Sequence, residues 1–182
     1  MSNYRVVVTG NNQSNQSQII SSAPIKVDNY FQYQPGFSVE VFWRTSAKTQ
    51  VGGVFKNPEV DQSTILPEVA GTSAMIVTFP SAKEDNTPEA VDLDKLIQET
   101  FTRLPGLAET FEPEPPGYHL TNTIDYVLVL EGTVNLQLDQ DSQALNVGDI
   151  VVQNGTRHAW VNNSGKPVRL LVIMVGAERT EA

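Results

Sequence analysis

Between Gly117 and Asn162 the chain breaks into short apolar runs divided by turn signals every few residues. Tyr126-Val-Leu-Val-Leu130 is β-branched and aromatic, and Glu131-Gly132 stops it. Val134, Leu136 and Leu138 alternate with Asn135, Gln137 and Asp139, the period-2 pattern of a half-buried strand. A turn at 139–142, a run at 144–147, the turn Gly148-Asp149, the strand Ile150-Val-Val152 and the tight-turn pair Asn154-Gly155 follow. Arg169–Val175 closes the region. Strands this short and this regularly interrupted leave little choice but an antiparallel sandwich or barrel, so the chain is all-β in this part.

The same stretch holds both histidines of the chain, His119 and His158, each beside a strand-like run, with Asp125 opening the strand after the first. Two imidazoles and a carboxylate gathered by a β-fold suffice for a first-row metal.

At these residues the chain resembles the cupin superfamily, a small barrel of jelly-roll type. Its first motif runs Gly, five residues, His-x-His, three or four residues, Glu, six residues, Gly. Aligned on Gly132, Asp125 takes the glutamate position, His119 the first histidine and Thr121 the second. In the second motif Gly148, Gly155, His158 and Asn162 match, with Gln153 where proline is expected and one residue fewer between the glycines. The resemblance implies a barrel core over 117–176, with a small organic molecule bound inside. It also implies a divalent metal, Fe, Mn, Zn or Ni, on His119, Asp125 and His158, and an enzyme of dioxygenase, decarboxylase or isomerase type. Thr121 and Asp125 depart from the usual three histidines and glutamate, which leaves open a metal-free epimerase or dehydratase with His119 or His158 as base. A non-catalytic small-molecule-binding barrel is also open. Thr121, Gln153, Arg157 and Trp160 are the candidate substrate contacts. Arg157 sits in the turn before His158, where it could meet a carboxylate. Trp160 shares the strand face of His158.

Upstream, residues 1–80 read as extra strands: Tyr4–Thr9, a polar tip from Gly10 to Gln18, and a return over Ile19–Val27. Phe37–Arg44 alternates Phe37, Val39, Val41 and Trp43 against Ser38, Glu40, Phe42 and Arg44, and Phe42 on the polar side suggests that this face too is covered. Ala74–Phe79 is a strand ending at Pro80. Between 81 and 116 lie a charged loop at 81–88 and the one convincing helix, 92–104. Its stripe of Leu93, Leu96, Ile97, Phe101 and Leu104 suits a core edge or, less commonly, a lid. The family resemblance implies that the N-terminal strands pair with a second subunit and that the chain is a homodimer; packing within one chain is the alternative.

At 182 residues this reads as one domain. A formal charge of -9, with 12 basic against 21 acidic residues and no basic cluster, argues against nucleic acid as a partner. The absence of cysteine excludes disulfides, thiolate zinc sites and cysteine nucleophiles. No apolar run reaches membrane-spanning length, and the valine run near the start is too short for a signal peptide. A cytoplasmic location is the resulting expectation.

Overall fold

The computed structural model describes residues 4–81 and 92–180. Ten strands occur there: β1 Arg5–Asn11, β2 Ser17–Pro24, β3 Ser38–Thr45, β4 Thr72–Phe79, β5 Thr123–Glu131, β6 Thr133–Gln137, β7 Ser142–Asn146, β8 Ile150–Asn154, β9 Ala159–Val161 and β10 Val168–Gly176. Five form one sheet in the order β3-β4-β10-β5-β8, three form a second in the order β7-β6-β9, and β1 pairs with β2. All strand pairs in these sheets are antiparallel. The two larger sheets close over a core of Val127, Val129, Val134, Leu136, Leu145, Val168 and Leu170, with Phe79, Val151, Trp160 and Val172 packed around it. This is the antiparallel all-β barrel the turn spacing predicts, of the jelly-roll type the family resemblance implies.

β5 and β6 are separated by Gly132 alone. Its φ is 78°, and a Cβ there would fall 2.7 Å from the Pro167 carbonyl oxygen. Only glycine tolerates both conditions, which is why the strand pattern stops at this position.

The N-terminal strands pack within the chain. Val27 is buried beneath Phe42, Ile76 and Leu130, beside Ile25, Tyr4 and Val6. Its carbonyl accepts the Ser38 hydroxyl at 2.7 Å. Phe42 faces this cover together with Ser38, as the alternation predicts, and it is the extra residue of a bulge: Val41 opposes Met75, and Trp43 already opposes Ala74. The alternation read from the sequence therefore holds only as far as Phe42. Beyond it Trp43 moves to the opposite face and Arg44 takes register with Ser73, since one inserted residue exchanges the two faces of a strand.

The helix, α1 Leu93–Arg103, is capped by the Asp92 side chain, which accepts the Lys95 amide. Its stripe does not cover a core edge along its length. Leu93, Ile97 and Phe101 are exposed, and only Leu104, at the C-cap, is buried. The helix is held by its polar side instead. Glu99 accepts the amides of Gln32 and Tyr33 at 2.8 Å each, and Arg103 donates to the carbonyls of Asn29 and Tyr30 while lying over the Phe31 ring. Periodicity marks an apolar face but carries no information on what, if anything, meets it. After the helix, Leu104, Leu107 and Ala108 pack with Phe31, Phe37, Val39 and Phe111, closing the barrel on the β3 side. The charged loop expected at 81–88 lies, from residue 82 on, outside the described residues.

Candidate functional site

β5 begins at Thr123, and the preceding segment leaves the sheet. There His119 forms an antiparallel bridge with His158, each donating its backbone N–H to the other's carbonyl, at 3.0 and 3.1 Å. Directly opposed residues of such a pair project side chains to one face. The imidazoles accordingly meet with ring centroids 4.3 Å apart. Phe111 lies 4.9 Å beyond His119, and Trp160 stands edge-on to His158 at 5.9 Å, so four rings form a row. Of the three residues expected to converge, His119 and His158 are brought together here, with Trp160 beside His158.

Both rings are held alike. His119 Nδ1 lies 3.0 Å from the Gly117 carbonyl and His158 Nδ1 2.9 Å from that of Thr156. A carbonyl can only accept, so each Nδ1 carries the proton and each Nε2 presents a lone pair. Burial lowers the pKa of His119, opposed by the Gly117 bond and the Glu112 charge. Burial and the neighbouring His119 drive His158 down to about 4. Both are neutral near pH 7, and His119 is the stronger base.

Asp125 sits apart from this pair. On β5 it opposes Gln153 of β8, and the ladder is interrupted between that register and the His119–His158 bridge. Asp125 is buried, its Oδ1 has no hydrogen-bond partner among the described residues, and burial raises its pKa to about 6 against a Thr123 hydrogen bond that lowers it. Among the described residues no three His, Cys, Asp or Glu side chains are grouped so that they could hold a metal ion. The tautomers suit ligation through Nε2 of His119 and His158, and Asp125 is not grouped with them.

Residues 108–174 match the family profile described as Cupin domain. The chain carries a cupin domain over these residues. Over 47 residues it is 49% identical to the phomopsin biosynthesis cluster protein C' of Diaporthe leptostromiformis, covering 25% of each protein. It is 36% identical over 61 residues to the cupin-domain-containing oxidoreductase srdD of Neurospora crassa, covering 31% of each. The matched stretch thus spans less than a third of either relative. A Cupin 2 conserved barrel domain protein from Salinispora arenicola aligns over 84% of this chain and 82% of its own, with a TM-score of 0.41 and 12% identity.

The remaining sequence candidates separate into two groups. Thr121 and Gln153 are buried, Thr121 with its hydroxyl 2.6 Å from that of Thr123, and Gln153 donating to the Thr156 carbonyl and hydroxyl. Arg157 is committed elsewhere. It makes a two-pronged pair with Glu112 at 2.7 and 2.6 Å, reaches Asp139 at 2.5 Å and covers the Tyr118 ring at 4.1 Å. Those partners occupy the fork that a substrate carboxylate would need, so Arg157 clamps Glu112 and Tyr118, just before His119, to the turn before His158. Asn162 is also a brace, donating to the carbonyls of Pro80 and Lys166.

Sequence reasoning missed Arg179. Its guanidinium donates to Asn122 Oδ1 at 2.6 Å and to the carbonyls of Thr121 and Gly155 at 2.8 and 3.0 Å. It thereby ties the His119 segment to the turn that leads to His158. It also lines a cleft of about 240 Å³ with Asn122, Thr123, Asn154 and Gly155. No local pattern marks a tail arginine as the tie between two distant loops.

Proposed function

We propose that this protein is an enzyme that takes a small organic molecule into its barrel and moves a proton on it, with His119 as the base. The observation that carries this reading is the opposed histidine pair with both Nδ1 atoms fixed on carbonyls and both Nε2 lone pairs free of partners among the described residues. A neutral imidazole in a fixed tautomer is a competent base near neutral pH. His119 is the better of the two because Glu112 supports its protonated form, whereas His158 is held neutral by burial and by His119 itself. On this reading Nε2 of His119 accepts a proton from a carbon next to a carbonyl. The imidazolium then stays tied to Gly117, and His158 accepts a hydrogen bond from the substrate. Epimerisation and dehydration both begin with that step. Thr121, Gln153 and Trp160 are the proposed substrate contacts.

The test is C–H exchange. A panel of 2-hydroxy ketones and aldoses is incubated with the protein in D2O and followed by NMR. The expected result is deuterium incorporation for at least one member, abolished in His119→Gln and strongly reduced in His158→Gln. Exchange that survives His119→Gln removes the base from this pair.

A second reading is an oxidoreductase, favoured by the similarity to the cupin-domain-containing oxidoreductase of Neurospora crassa. It would draw on a divalent metal (Fe, Mn, Zn or Ni), whose chemistry is activation of a bound substrate or oxygen. Metal analysis of the purified protein separates the readings: a stoichiometric transition metal lost in both His119→Gln and His158→Gln favours the second.

A further inference from the structure

Across the inner face of the five-stranded sheet one row of directly paired residues runs Ser73, Met174, Asp125, Gln153, one each from β4, β10, β5 and β8. The next inner row is Met75, Val172, Val127, Val151, wholly apolar. The polar row is no less buried: Ser73 is 0% exposed, Met174 3%, Asp125 5% and Gln153 4%. Yet Ser73 Oγ and Asp125 Oδ1 have no hydrogen-bond partner among the described residues. Buried polar atoms without partners are uncommon in folded proteins and call for a specific occupant. The one other such side-chain atom, Arg169 Nε, belongs to the opposite face of β10, beside Glu131.

The chemistry of that occupant follows from the groups that face it. Asp125 can accept hydrogen bonds through its carboxylate and Ser73 can accept or donate. Of the positive side chains on the surrounding elements, Arg44 is held by the carbonyls of Asp61 and Thr64, Arg157 by Glu112 and Asp139, Arg169 by Glu131, and Arg179 by Asn122, Thr121 and Gly155. Arg44, which opposes Ser73 on β3 and so extends the row, spends its guanidinium on the carbonyls of Asp61 and Thr64 and on Gln62, so no donor fork is left there for an anion. Hydroxyl donors match it and carboxylates or phosphates do not.

We propose that this row is the floor of the ligand site and that the ligand is an uncharged polyhydroxy compound. One hydroxyl donates to Asp125 Oδ1, a second bonds Ser73 Oγ, and the Met174 side chain lies between them. Two strand spacings put the Ser73 and Asp125 Cα atoms roughly 10 Å apart, and a hydrogen bond at each end leaves about 5 Å between the ligand oxygens, the span of a sugar-sized molecule. Ser73 has no place in either sequence motif and gains its role only through β10. The proposal rests on the small-molecule reading above and names the class of molecule.

The test uses the full chain, its Ser73→Ala and Asp125→Asn variants, and calorimetry with myo-inositol, D-mannitol and D-glucose against D-gluconate and D-glucose 6-phosphate. The expected result is binding of at least one uncharged compound, weakened about tenfold or more in each variant, as loss of one buried hydrogen bond implies. Each variant should also keep or raise the melting temperature of the ligand-free protein, because a partnerless buried group has been removed. Anions that bind more tightly than the polyols overturn the ligand class. Polyol binding that neither variant weakens overturns the row as its floor and leaves binding in the barrel standing. Absence of polyol binding overturns the proposal, and variants that also melt lower mark the row as a structural element hydrated by internal water. The exchange assay reads the histidines independently, so failure here and failure of the proton-transfer reading are distinct results.

Discussion

His119 and His158 lie directly opposite each other, joined by two backbone hydrogen bonds of 3.0 and 3.1 Å, with their rings 4.3 Å apart. Each therefore restricts the protonation of the other. Two-bond 1H–15N NMR at pH 7 is expected to show both rings neutral with the proton on Nδ1. On acidification His158 is expected to titrate near 4, after His119. A His158 that titrates at or above the ordinary 6.5 would refute the buried, paired arrangement. The lowered pKa also has a stability consequence. The unfolded chain takes up this proton more readily, so stability is lost as pH falls from 6.5 towards 4, by up to roughly 3 kcal/mol.

Asp125 works in the opposite direction. Its folded pKa of about 6 lies above the ordinary 3.8, so ionisation favours the unfolded chain. The penalty is absent below 3.8, grows through the interval to about 6 and is full above it. Asp125→Asn is expected to melt higher than the parent at pH 7.5, by an amount on the order of 2 kcal/mol, with the gain vanishing near pH 3.5. Equal stabilisation at both pH values would mean that the charge of Asp125 is not the cause.

Gly132→Ala is expected to destabilise by about 2 kcal/mol or more, because the new Cβ meets a backbone oxygen at a positive φ. Denaturant unfolding measures it. Gly148→Ala is the comparison: its φ is 94° but no atom lies within 4 Å of the added carbon, so only the backbone strain applies.

Arg157 and Arg179 should differ in what they disturb. Arg157→Ala releases Glu112 and Asp139 and should lower the melting temperature by an amount that shrinks in high salt, with ligand affinity little changed. Arg179→Ala unties Thr121 from Gly155 and should shift the imidazole resonances of both histidines. Lysine at 179 should not restore them, since an ammonium lacks the fork that serves three acceptors. Unchanged histidine spectra in Arg179→Ala would remove its positioning role.

A homodimer is the expected assembly. Tyr126 directly opposes Val152 on the outer sheet face, with Ile150 further along β8, and all three are exposed with no charge among them. Such a face suits a second copy of itself in a chain of net charge -9, where charged surfaces repel. Light scattering should give a dimer, and Val152→Lys should shift it to the monomer. A 20.0 kDa species for the parent at micromolar concentration would refute it.

Much of the barrel was legible because the signals are local. The period-2 runs from Tyr126 to Leu138, the glycine between β5 and β6 and the Asn154-Gly155 turn each depend on a few neighbouring residues, and β5, β6 and β8 follow from them, as β4 and β10 follow from their own apolar runs. The helix was legible for the same reason, through its 3.6-residue period. What that helix faces was not, because its stripe has no partner written beside it. The β3 bulge at Phe42 was also hidden, since an inserted residue looks like any other until the strand has a partner to be out of step with.

The candidate site divides along the same line. By itself the sequence determined that His119 and His158 are the only imidazoles and that both belong to the barrel, since their motifs surround strands that must pair. Only the tertiary structure decided that they face each other while Asp125 faces Gln153. The break between Thr121 and Thr123 sets two separate registers, and register is a property of pairs of strands. The same reason explains Arg157, Arg179 and Ser73. Their partners lie 18 or more residues away along the chain for Arg157, 24 or more for Arg179, and on other strands for Ser73, brought close only when the sheets close.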